Sequence, residues 1–400
     1  MSIYKFNNEV ISSDDPNIEA WLSKAHGDVT RPLCMCKADG IPMYIAKIGN
    51  SFVIKRMPNT GGTHHMSCES YETPPELSGL GQVEGSAIQE NSEDGTTALK
   101  FNFALSKSPG KQVTKQAGNE TDTVKTDGTK LTLRSTLHYL WEQAGFNRYT
   151  PAMQGKRSWN VIRKYLLQAA GDKLAKGQNL SSMLYIPEVF FLDKKDEISH
   201  RRVVAFNQIA APEKGTRKLM IVIAEVKTIS QSRYGYKVLF KHLPDCPFMF
   251  NEDLYKRLMK RFSNELELWD ALENSHLMLV GTFGVSKNGI PTIEEAALMN
   301  VNSDWIPFEN GFENTLLNTL TEGKRSFIKG LRYNMPSDKP MASVVLSDME
   351  DTPMALYIFN PENENLVEQT NELIAQSDLN SWVWDIGDVM PALPSAIEQA

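Results

Sequence analysis

The chain has 400 residues, 41% apolar and 23% charged, with a formal net charge of −7. That length exceeds one ordinary hydrophobic core and predicts two or three domains, while the composition excludes a disordered or fibrous chain. The start, MSIYKFNNEVISSDDP, carries acid early and has no apolar stretch, and the longest apolar run, Leu219–Ala224, is far too short for a bilayer. A cytoplasmic protein without membrane contact is therefore expected.

The first predicted helix opens with Asp15 as N-cap and Pro16 at the first helical position, followed by Ile18, Trp21, Leu22 and Ala25 at helical spacing. Three of the four cysteines come next, as Cys34-Met-Cys36 and then His64-His65-Met-Ser-Cys68. Two short soft-ligand pairs on neighbouring turns can surround one structural zinc ion, with His64 or His65 completing the set. Between the pairs, Met43–Ile48 and Ser51–Arg56 alternate around Gly49-Asn50, a hairpin signal. The isolated Cys246 argues against disulfides. Phe101–Leu105 reads as a strand closing a zinc-binding β module over residues 1–105, and residues 106–130 read as a polar linker.

A helical section is predicted over 131–180. Leu133, Leu137, Leu140, Trp141 and Ala144 mark one helix, and Trp159, Ile162, Leu166 and Ala169 a second. Residues 105–176 hold 13 basic and 5 acidic side chains, against 8 and 13 in residues 1–104. Arg148, Lys156, Arg157, Arg163 and Lys164 are thus candidate nucleic-acid contacts, supplying cations to phosphates. Snorkelling cations on a structural helix pair would look the same.

A mixed α/β domain is predicted over 183–305. Its expected strands are Tyr185–Phe191, Val203–Ile209, Leu219–Val226, Tyr236–Phe240, Leu277–Phe283 and Ala297–Val301, with one helix through Leu254, Leu258, Phe262, Leu266 and Trp269. Glu225-Val-Lys227 ends a buried strand, and Asp193 lies upstream, so Asp193, Glu225 and Lys227 form a candidate nuclease set that would need Mg²⁺. Chance triplets of this kind are common. The mix of Tyr234, Tyr236, Lys237, Phe240 and Lys241 could also stack bases on a sheet. No phosphate-binding glycine loop or nucleophile elbow is present.

The segments RPLCMC, MYIAKIGNSFVIKRMPNTGGTHHMSCESYE, LSGLGQVEGSAI, LYIPE, EVK, HLPDCPF and DWIPFE resemble an uncharacterised bacterial family, a domain of unknown function with three N-terminal cysteines. Members are often encoded on conjugative or integrative elements, so the resemblance implies nucleic acid and mobile-element proteins as partners. The last domain, 306–400, is similar in predicted order (α-β-β-β-α-β) to restriction-endonuclease-like proteins. Only Glu313 and Asp348 fit that family's ligand positions. The strand expected to carry Glu-x-Lys reads Tyr357-Ile-Phe-Asn360, and beyond Lys339 stand 11 acids and no Lys, Arg or His, which implies a non-catalytic copy. The resulting picture is an α+β multi-domain protein, a zinc-containing accessory of nucleic acid. The alternatives are a metal-dependent nuclease and a protein-interaction component using its acidic end.

Overall fold

A computed structural model describes residues 2–28, 30–48, 51–91, 95–108, 128–212, 215–350 and 352–397. Helices and several sheets alternate in a mixed α+β arrangement. Among the described residues no helix is long and apolar enough to cross a membrane.

The N-terminal sheet has five antiparallel strands in the order Glu9–Ser12, Ile3–Phe6, Leu33–Cys34, Ile41–Ile48, Ser51–Arg56. The last two are the expected hairpin; its Gly49-Asn50 turn lies outside the described residues. The helix Ile18–Ala25 buries Trp21, Leu22 and Ala25 against this sheet. It starts later than expected, because Asp15 closes a preceding turn, accepting from Asn17 N at 2.7 Å through Oδ1 and from Ile18 N at 3.0 Å through its carbonyl.

The two basic-segment helices appear as Leu133–Gln143 and Trp159–Ala169. The strands beside them complete sheets built elsewhere. Arg148–Tyr149 pairs with Phe327–Lys329, and Lys173–Ala175 runs parallel to Thr97–Leu99. Most of the 106–130 stretch lies outside the described residues. Phe101 contributes only a single bridge to Leu131, so Phe101–Leu105 is not a strand.

Residues 220–301 form a closed ring of five strands: Met220–Ser232, Gly235–Phe240, Leu243–Phe250, His276–Val285 and Pro291–Val301. Numbered along the chain, they neighbour one another in the order first, second, third, fifth, fourth, and the fourth returns to the first. The third and fifth are parallel at Met249–Thr292, and the other pairings are antiparallel. Val238, Phe240, Phe248, Phe250 and Phe283 fill the interior. Two helices, Glu252–Arg261 and Ser263–Ala271, link the third strand to the fourth, so the single expected helix is broken at Phe262. Asn251 caps the first of them by accepting from Leu254 N at 2.8 Å.

Two expected strands before the barrel are corrected. Tyr185–Phe191 pairs only through Leu184–Tyr185, and Val203–Ile209 belongs to a helix, Lys195–Asn207. Val203 and Val204 are half exposed (50% and 52%), whereas helical spacing buries Ile198, Arg202 and Phe206 on one face.

The C-terminal sheet runs in the order Asn380–Asp385, Met354–Phe359, Val344–Leu346, Phe327–Lys329, Arg148–Tyr149. With the helices Gly311–Glu322 and Glu364–Gln376, the expected order α-β-β-β-α-β is present.

Candidate metal centre

Cys34 ends a strand, and Cys36 lies in the turn that follows; a further turn, Gly40 N to Lys37 O at 3.0 Å, ends at Gly40, whose φ of +68° favours glycine. After the hairpin, a short 3-10 turn Gly61–Thr63 delivers His64, and a second turn, Cys68 N to His65 O at 2.8 Å, delivers Cys68. Cys34 Sγ lies 3.7 Å from Cys68 Sγ, and His64 Nδ1 lies 3.4 Å from Cys36 Sγ and 3.7 Å from Cys68 Sγ. All four ligand atoms fall within 4.8 Å of one another. Tetrahedral zinc with bonds of about 2.3 Å to sulfur and 2.0–2.1 Å to nitrogen has ligand–ligand edges of about 3.6–3.8 Å, so the donor set fits such an ion.

The backbone N–H groups of His65 and Ser70 each approach a sulfur, Cys36 and Cys68 respectively, at 3.4 Å. Contact with Cys68 pushes the Cys34 thiol up, and the same contact holds Cys68 down to about 4. Without a cation the two sulfurs share a proton; a divalent ion stabilises both as thiolates. Cys34, His64 and Cys68 are buried, so these four residues could hold a metal ion, in a manner compatible with structural zinc. His65 does not join them: it is exposed, and its Nδ1 faces Ser67 Oγ at 2.8 Å.

The candidate nucleic-acid cations are largely committed inside the molecule. Arg148 donates to Tyr71 O, tying the C-terminal sheet to the loop that follows Cys68. Arg157 donates to Phe146 O at 3.1 Å and Asp304 O at 2.9 Å, and Arg163 Nε to Ile186 O at 3.0 Å. Lys156 and Lys164 remain exposed. Carbonyls left free where helices and strands end are good partners for a guanidinium, which offers several donors in one plane.

Asp193 and Lys227 are both exposed, and neither has a hydrogen bond or ion pair to Glu225 among the described residues. Glu225 is buried and takes other partners: His276 Nδ1 at 2.6 Å and Lys241 Nζ at 2.5 Å. Burial raises its carboxyl, but these two hydrogen bonds outweigh that and hold it below the usual range. His276 stacks on Trp305 (4.3 Å between ring centres), and His242 stacks on Trp159 (5.1 Å). Trp305 sits at φ +60°, a strained value for a bulky residue, held there by Asn302, whose Oδ1 accepts from Asp304 N and Ile306 N at 3.0 Å each. No short-range signal links Glu225 to His276, 51 positions later; only the pairing of the first and fourth barrel strands joins them.

At the C-terminal end Glu313 accepts from buried Lys329 at 3.0 Å, and Asp348 is bidentate to Arg325 at 2.9 and 2.8 Å. Both carboxylates are thus engaged by cations that precede Lys339 in the chain.

No curated protein and no solved structure matches this chain, so no structural match bears out a nuclease-like core. One family model does match, over residues 4–387, and the chain belongs to that family, described as protein of unknown function (DUF1173).

Proposed function

We propose that this chain is a zinc-stapled, nucleic-acid-associated accessory protein of a bacterial mobile element, and that it is not a nuclease. The metal part rests on the convergence of Cys34, Cys36, His64 and Cys68. Three thiolates and an imidazole saturate a tetrahedral ion and leave no open position for a substrate, the mark of a structural site. Zinc there would fix an N-terminal unit whose own core is small.

The nucleic-acid part is supported by the barrel. Its closed order, with helices between the third and fourth strands, has the layout of the five-stranded oligonucleotide- and oligosaccharide-binding barrels. Fold alone does not carry function, so this support is by analogy of architecture. Metal analysis of the purified chain should find about one zinc per molecule. Fluorescence anisotropy against labelled DNA and RNA should show binding that weakens steeply with salt, with no Mg²⁺-dependent cleavage. A metal-free chain with an unchanged melting curve would remove the zinc, and flat anisotropy at low salt the nucleic acid.

A second reading, protein interaction, is favoured by one observation. Glu364, Glu368 and Glu372 repeat every four residues along a helix and, with Asp385, line a concavity floored by Phe359, Pro361 and Val367. That arrangement suits a basic polypeptide partner.

A further inference from the structure

We propose that the outer face of the second and third barrel strands, bounded by the turns Ser232–Gly235 and Ser286–Ile290, binds single-stranded nucleic acid. This rests on the nucleic-acid reading above and moves its site from the helix pair to the barrel. Along Gly235–Phe240, Val238 and Phe240 point into the core, so Lys237 and Leu239 stand on the opposite face. On the third strand Phe248 and Phe250 point inward, leaving Pro247 and Met249 outside, and Met249 lies opposite Lys237. The face is thus half-buried apolar surface that carries Lys237.

Register brings the two turns to this face. Tyr236 pairs with Phe250, which puts the first turn at the end of the third strand. Met249 pairs with Thr292 on the fifth strand, which brings the second turn to the other side of that strand. Tyr234 is 80% exposed at the tip of the first turn, with the Arg233 guanidinium 5.2 Å from its ring centre, and Ile290 is 46% exposed at the second. A tyrosine ring and its neighbouring cation held in water suit one nucleotide, the ring taking the base and the guanidinium the phosphate.

The charge agrees. Residues 226–250 contain Lys227, Arg233, Lys237 and Lys241 but only one acid, Asp245, in a molecule whose net charge is −7. Asp245 is neutralised by Arg202 at 2.9 Å, and Lys241 is taken by Glu225. Lys227, Arg233, Lys237 and, in the second turn, Lys287 have no hydrogen bond or ion pair among the described residues. A strip of uncommitted cations beside a stacking ring tracks a flexible phosphate backbone whose bases are free; a duplex hides its base faces inside the helix.

The test is anisotropy of the full chain with labelled single-stranded DNA, single-stranded RNA and duplex DNA, each of about 20 nucleotides per strand, over a range of salt. Single strands should bind roughly tenfold or more tighter than duplex, and the DNA and RNA arms show which sugar is preferred. Tyr234→Ala should weaken binding roughly tenfold, while Tyr234→Phe, which keeps the ring, should not. Arg233→Gln with Lys237→Gln should lower the salt slope by about 0.7 for each phosphate that these cations no longer neutralise. Melting curves of these surface variants should match the wild type, which separates binding from folding. Salt-dependent binding that ignores all these substitutions, or duplex bound as tightly as single strands, overturns this site and leaves the nucleic-acid reading standing. No binding of any probe at low salt overturns both.

Discussion

The two ends of the molecule offer opposite means of securing small β units. The N-terminal sheet gathers soft ligands from two turns, and its buried cluster is Tyr4, Phe6, Trp21, Leu22, Met43 and a few neighbours. The C-terminal sheet instead buries whole ion pairs: Lys329–Glu313 at 3.0 Å and Arg325–Asp348 at 2.8 Å, with side chains no more than 7% exposed. On the reading proposed above, thiolates and imidazole supply an energy that depends on a cation from outside the chain. The ion pairs carry their counter-charges internally, at a desolvation cost that only full pairing offsets. The first end should therefore respond to chelators and the second to losing one partner of a pair.

The largest separation of the two should come from Cys36→Ser. It should lose zinc and destabilise the strands Ile41–Ile48 and Ser51–Arg56 by at least several kcal/mol. Hydrogen exchange would read this, and Met354–Phe359 should keep its protection. Next, Asp348→Ala should leave Arg325 buried and unpaired at a cost of about 3–5 kcal/mol in urea unfolding, with zinc content unchanged. Equal loss of protection at both ends in either variant would break the comparison.

A pH series sharpens it further. Burial alone would raise the Glu309 carboxyl, but Arg332, Arg134 and Lys329 pull it from 4.5 down to about 2. Its contribution is therefore present above about pH 4.5 and is lost as pH falls towards about 2, so Glu309→Gln should cost stability at neutral pH and almost none at pH 2. The smallest effect belongs to Glu142, which burial raises to about 7 despite the hydroxyl of Tyr333. A raised carboxyl favours the fold below about pH 4.5 and opposes it as pH climbs through 7, so Glu142→Gln should raise the melting temperature at pH 8 and leave it unchanged at pH 4.

Much of this was legible along the chain wherever the signal is local. The spacing of Leu133, Leu137, Leu140 and Trp141 marked a helix, and four of the five barrel strands were read in whole or in part. The Cys/His spacing picked out the residues that could hold a metal ion, leaving the choice between His64 and His65 to the fold. What escaped was set by distant partners. Lys195–Asn207 carries Arg202 in the middle of its buried stripe, which hides the helical period until Asp245 is seen opposite it. The cations of the basic segment looked free because the carbonyls that take Arg157 and Arg163 lie up to 147 positions away. Leu243–Phe250, with two prolines and an aspartate, reads poorly as a strand, and the barrel cannot be counted without it.

The pairing of Arg148–Tyr149 with Phe327–Lys329 has a consequence for synthesis. At about 5–20 residues per second, the strand partner of Tyr149 leaves the ribosome roughly 10–40 s after Tyr149 itself. Through that interval the lone edge of Arg148–Tyr149 lacks its native neighbour, and the Arg148 tie to the Tyr71 carbonyl has no completed sheet behind it. The nascent chain is thus exposed to mispairing until Phe327–Lys329 has emerged.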